Sequence, residues 1–154
     1  MYSSSVIAAF FLKKSFKEGI IMTPMKLLKL VYIAHGWTLS LTEEPLLSEQ
    51  IEAWKYGPVI PQLYNQYREF GANDINRMLF NNLNEKEELK KLEQSDIESL
   101  LDKVWIIYKD YSGIELSSLT HKDGTPWDII WKRQQNSNII GNDLIKKYYD
   151  NLHS

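Results

Sequence analysis

Apolar residues recur along most of this chain at the three- and four-residue spacing of helices, and almost nowhere at the alternation of exposed strands. Val6, Ile7, Phe10 and Phe11 fall on one stripe between Ser4 or Ser5, either of which can cap a helix, and Gly19, suited to a left-handed C-cap. This predicts a first helix with one buried face. The best-marked start follows, where Thr23 stands as N-cap and Pro24 at the first helical position. Beyond it Leu27, Leu30, Val31, Ala34, Thr38 and Leu41 form a stripe flanked by Leu28, Tyr32, His35 and Leu39, so apolar surface wraps most of the helix and places it at the centre. Further helical stripes run from Pro61 through Leu63, Tyr64, Tyr67 and Phe70 to Gly71, and from Ile97 through Leu101, Val104, Trp105 and Tyr108 to Gly113. Shorter ones carry Ile114, Leu116 and Leu119, then Trp127, Ile130 and Trp131, and finally Leu144, Ile145, Tyr148, Tyr149 and Leu152.

Capping signals sharpen several of these boundaries. Ser95 with Glu98, and Ser112 with Glu115, have the spacing of a capping box, and Thr125–Pro126 repeats the Thr23–Pro24 signal. Asn84 and Glu87 share that spacing in a charge-dense stretch, 84–95, that reads as a solvated short helix or a connector; residues 71–84 read as a loop.

One stretch breaks the helical pattern. From Ser48 to Tyr56 the chain reads as extended, and Trp54-Lys55-Tyr56-Gly57-Pro58 then forces a turn: Gly57 reaches backbone angles closed to other residues and Pro58 holds its own φ. A rigid elbow is expected here, with Trp54 and Tyr56 filling the space between the helices on either side. The whole chain, 1–154, is therefore expected to form a mainly α, compact single-domain fold of about six to seven helices, with a short extended segment or small hairpin around residues 46–56.

Composition excludes several classes of function. A net charge of −2 with interspersed signs offers no basic field for a phosphate backbone, so nucleic acid is not expected as a partner. No apolar run approaches bilayer length, and the N-terminus lacks the pattern of a secretion signal, which points to a cytoplasmic protein without a membrane partner. The chain contains no cysteine, which removes disulfides, thiolate zinc sites and cysteine nucleophiles. Aromatics, at 12% of residues, serve either as wedges between helices or as interface anchors.

Candidate chemistry is sparse. His121 and Asp123 supply at most a pair of metal ligands, so neither a metal nor a cofactor is expected. His35, on an apolar helix facing the elbow, is within plausible reach of Glu52 for acid–base work, or is a satisfied core histidine. Lys26 and Lys29 sit at the helix end that disfavours cations; they are either solvated or matched by a carboxylate or a partner. Thr120-His121 followed by Pro126-Trp127 is a helix end tied down by side-chain bonds or a recognition site. There is no glycine-rich phosphate loop and no nucleophile elbow.

Taken together, Thr23-Pro24-Met25-Lys26-Leu27-Leu28-Lys29 through His35-Gly36-Trp37, then Glu52-Ala53-Trp54-Lys55-Tyr56-Gly57-Pro58 with Tyr64 and Gly71, then Thr120-His121 and Pro126-Trp127, resemble the Panacea domain. That family comprises SocA-like antitoxins and phage-associated proteins of the GepA type. The resemblance implies a helical antitoxin-like module that neutralises the cognate toxin of a type II toxin-antitoxin system by direct contact, without catalysis. On it, Trp54, Tyr56, Gly57, Pro58, Pro126 and Trp127 define the fold, and Lys26, Lys29, His35, Tyr64, Thr120 and His121 are the polar motif residues that form a partner-binding surface. Two other readings stand beside it: a proteolytic adaptor that also engages a AAA+ protease, or a phage-encoded modulator of a host protein; and an enzyme of unknown class using His35 or His121.

Overall fold

The computed structural model describes residues 1–133 and 137–153. Among them the architecture is mainly α, as the periodicity predicts, with eight α-helices: α1 (Ser4–Glu18), α2 (Pro24–Thr42), α3 (Pro61–Tyr67), α4 (Asn84–Leu92), α5 (Ile97–Tyr108), α6 (Gly113–His121), α7 (Pro126–Arg133) and α8 (Asn142–Leu152). A small sheet, β1 (Ile51–Trp54), β2 (Gly57–Val59) and β3 (Ile139–Ile140), is inserted among them.

The strongest start signals form as expected. The Thr23 side chain accepts from the Lys26 amide with Pro24 opening α2, and Ser112 and Glu115 cap α6 reciprocally. Gly19 closes α1 at φ 67°. Where the same spacing recurs without packing to support it, it fails. Ser95 gives its hydroxyl to the Leu92 carbonyl instead of capping α5, and Leu83, not Asn84, precedes α4. At the N-terminus the cap is Ser3, because Ser4 and Ser5 are already inside the helix and turned to other partners.

The centre of the molecule is α2, packed against α1, α3, α5, α6, α8 and β2. Its partner α1 departs from the expected single buried face: every residue from Ser4 to Leu12 is buried. Each of Phe10, Phe11 and Leu12 contributes roughly 2 kcal/mol by burial, which outweighs taking two serines out of water when those serines are hydrogen-bonded. They are, since Ser5 donates to Glu85 at 2.9 Å and Ser4 donates through its amide to Glu49 at 2.6 Å. Glu85 itself is 3% exposed and also accepts from Ser3 and the Asn81 amide, so α4 is keyed onto the start of α1 and is more than a solvated connector.

The elbow is a hairpin with β1 and β2 antiparallel and Trp54 opposite Gly57. It lies in the anticipated region but is not alone: β3 pairs with the other edge of β1, Ile51 opposite Ile140, giving the strand order β2-β1-β3. A further single bridge joins Tyr2 to Leu47. No helix among the described residues is long and apolar enough to cross a membrane.

Candidate partner-binding cleft at the elbow

Three alternate carbonyls of the elbow, on Trp54, Tyr56 and Pro58, are each taken by a side chain from a different helix. The Trp127 indole on α7 donates to Trp54 at 2.5 Å, the Ser117 hydroxyl on α6 to Tyr56 at 2.7 Å, and the Lys29 ammonium on α2 to Pro58 at 2.9 Å. A hairpin this short has too few ladder bonds to hold itself, and these three donors tie its carbonyls to the helices around it. Gly57 makes the third possible. Its φ of 118° suits only glycine, and a methyl there would stand 3.0 Å from the Lys29 nitrogen.

Beside the elbow lies a cleft of about 300 Å³, walled by Pro24, Met25 and Leu28 of α2, by Trp54, Lys55 and Tyr56 of the hairpin, and by Tyr64 and Arg68. Trp54 and Tyr64 meet edge to face at 5.1 Å. Lys29 also lines it, and is 2% exposed. Burial alone pushes this ammonium down to about 8, with no neighbouring charge compensating. Among the described residues, three cationic side chains and no acidic one line the cleft.

The six polar motif residues thus separate. Lys29 and Tyr64 border the elbow cleft. Thr120, donating to the Leu116 carbonyl at 2.8 Å, borders a second cavity of about 310 Å³ on the other side of α2, among Tyr32, Trp37, Tyr108, Tyr148 and Tyr149. Lys26 donates to the Lys109 carbonyl just past the end of α5, where a cation suits the helix dipole; burial lowers its affinity for its proton, and Asp110 and Glu115 partly restore it. Both lysines are buried and hold backbone carbonyls, and neither forms an ion pair with a carboxylate among the described residues.

His35 does not reach Glu52. Its Nδ1 accepts from the Leu47 amide at 3.2 Å, which leaves Nε2 to donate to Asn142 at 2.9 Å, and burial lowers its basicity. The ring joins α2 to the approach of the hairpin and to the first residue of α8. Glu52 accepts instead from the Trp54 indole at 2.9 Å. His121 donates from Nδ1 to the Ser117 carbonyl one turn back, and its ring meets Trp127 edge to face at 5.2 Å. Among the fold-defining residues, Pro126 and Trp127 are buried while Tyr56 points outward, 60% exposed, instead of filling space between helices. Among the described residues no three histidine or acidic side chains converge as metal ligands would.

The family model described as "Antitoxin SocA-like, Panacea domain" matches residues 27–128, from the first turn of α2 into α7. The chain belongs to this family. Antitoxin SocA of Caulobacter vibrioides (strain NA1000 / CB15N) is 32% identical over 131 residues, covering 80% of this chain and 68% of that protein. No solved structure matches significantly. Within the family match fall the hairpin, all three donors to its carbonyls, and every wall residue of the cleft except Pro24 and Met25. Reading the sequence for polar motif residues overlooked Met25, Leu28 and Arg68; the signal was present, since Met25, Leu28 and Lys29 share one face of α2, and Tyr64 and Arg68 stand one turn apart.

Proposed function

We infer that this Panacea-domain protein is an antitoxin that neutralises a protein toxin of a type II system by direct contact, and that it does so as a binding module without catalysis. The relation to antitoxin SocA, spanning 80% of the chain, carries the reading. The structure supports it through a firmly braced elbow with an aromatic-walled cleft, the kind of concave, half-apolar site that anchors a partner. The histidines support it as well, because His35 and His121 both hold backbone groups in place and stand at no shared cleft.

Coexpression with the protein encoded by the adjacent gene tests the reading. The expected result is rescue of growth together with copurification of the two proteins. Rescue without a complex would overturn neutralisation by contact.

A further inference from the structure

The elbow cleft contains a charge for which the described residues supply no counterion. Lys29 is 2% exposed, makes its hydrogen bond to the neutral Pro58 carbonyl, and among the described residues has no charged neighbour that raises its hold on a proton. An ammonium carries three donors, and taking it out of water is costly unless an anion compensates. The surroundings add positive character: Lys55 and Arg68 stand exposed in the wall, and Pro24 and Met25 are the opening residues of α2, the positive end of a nineteen-residue helix. Much of the remaining wall is apolar or aromatic, with Trp54, Tyr56, Tyr64, Met25 and Leu28. An occupant complementary to this site brings a carboxylate and a large apolar side chain close together.

The size of the cleft narrows the source. At about 300 Å³ it lies at the small end of sites that hold a ligand, a volume that suits one large side chain with a carboxylate close beside it. A polypeptide supplies both groups on one residue only at its C-terminus. We propose that the elbow cleft receives the C-terminal residue of the partner protein, its apolar side chain laid against the paired Trp54 and Tyr64 rings and its free carboxylate on Lys29. This rests on the antitoxin reading for the identity of the partner, while the chemistry of the cleft stands independently of it. Capture of a chain terminus is an established recognition mode, in which a charge-assisted bond sets register and a pocket sets side-chain preference.

The test uses the full chain and fluorescein-labelled Gly-Gly-Gly-Phe and Gly-Gly-Gly-Leu, each as free acid and as C-terminal amide, with binding read by fluorescence anisotropy. A capped peptide bearing an internal Phe-Asp pair forms a third arm. The free acid of at least one peptide should bind about tenfold tighter than its amide and than the internal acid. Lys29→Met should abolish that preference, and Tyr64→Ala on the rim should weaken acid and amide alike. Equal binding of acid and amide, binding of neither, or preference for the internal acid would each overturn the proposal. The acid–amide comparison on the unsubstituted chain decides the matter even if Lys29→Met does not fold. Peptide binding without a copurifying toxin would sink the antitoxin reading and leave the cleft assignment standing; a toxin complex with no acid preference would do the reverse.

Discussion

Two cavities of nearly equal volume flank α2, and they are finished in opposite ways. On the elbow side, about 300 Å³ is bordered by a buried ammonium and two exposed cations. On the α8 side, about 310 Å³ is bordered by five tyrosines, and the Tyr32 hydroxyl has no hydrogen-bond partner among the described residues. The contacts around them differ as well. Helix α8 presses so closely on α2 that Tyr149 lies where a side chain on Gly36 would be, and Trp37 and Tyr149 meet edge to face at 5.1 Å. The hairpin is tied to α2 by the Lys29 ammonium on the Pro58 carbonyl and leaves Tyr56 60% exposed. Equal voids thus stand beside a tight helix–helix contact on one side and a braced hairpin on the other. What separates them is the chemistry of their borders rather than their size: a buried ammonium on one side, a cluster of tyrosines on the other.

The largest effect should come from breaking the packed side. Gly36→Ala forces a methyl into the buried Tyr149 ring and should destabilise the protein by about 3 kcal/mol in denaturant unfolding. Near-neutrality would show that α8 moves freely on α2 and that the contrast is not real. The elbow side should show itself through pH. Below about 8 Lys29 is charged in both states and its burial penalty is fully present; above its ordinary 10.5 it is neutral in both and the penalty is gone. Stability relative to Lys29→Met should therefore rise between pH 8 and 10.5, by at most about 3 kcal/mol. A flat difference would mean that the ammonium is hydrated.

Smaller changes separate the cavities further. Tyr32→Phe removes an unpartnered buried hydroxyl and should stabilise by about 1 kcal/mol, whereas a loss would reveal ordered water satisfying it. Met25→Ala, at the wall of the elbow cleft, should cost less than about 1 kcal/mol, since it only widens an existing opening. Thermal melting measures both.

The elements whose cause is local were legible. A proline fits the first turn of a helix, a serine reaches an amide three residues on, and a glycine adopts a left-handed angle; each depends on neighbours a few bonds away. That is why α2, α6 and the Gly57 turn could be read directly. The same logic misled at Ser95 and Asn84, where capping spacing is present but the side chains have other partners or none to cap. The cleft was half legible. Lys29 and Tyr64 stood out as polar motif residues, but nothing local shows that a lysine at the start of an apolar helix is buried, or that Tyr56 beside it faces outward.

The amino-acid order determined which segments are helical, where the chain must turn, and that a glycine and a proline meet at the elbow, because those outcomes follow from steric and hydrogen-bonding rules acting within one turn. Tertiary packing decided the rest. It brought Ile140 to Ile51 to complete the sheet, set Glu85 on the serines of α1, and gave the carbonyls of Trp54, Tyr56 and Pro58 to donors from three helices. Buried polar groups must find partners, and which partner is within reach depends on where the whole chain has already gone.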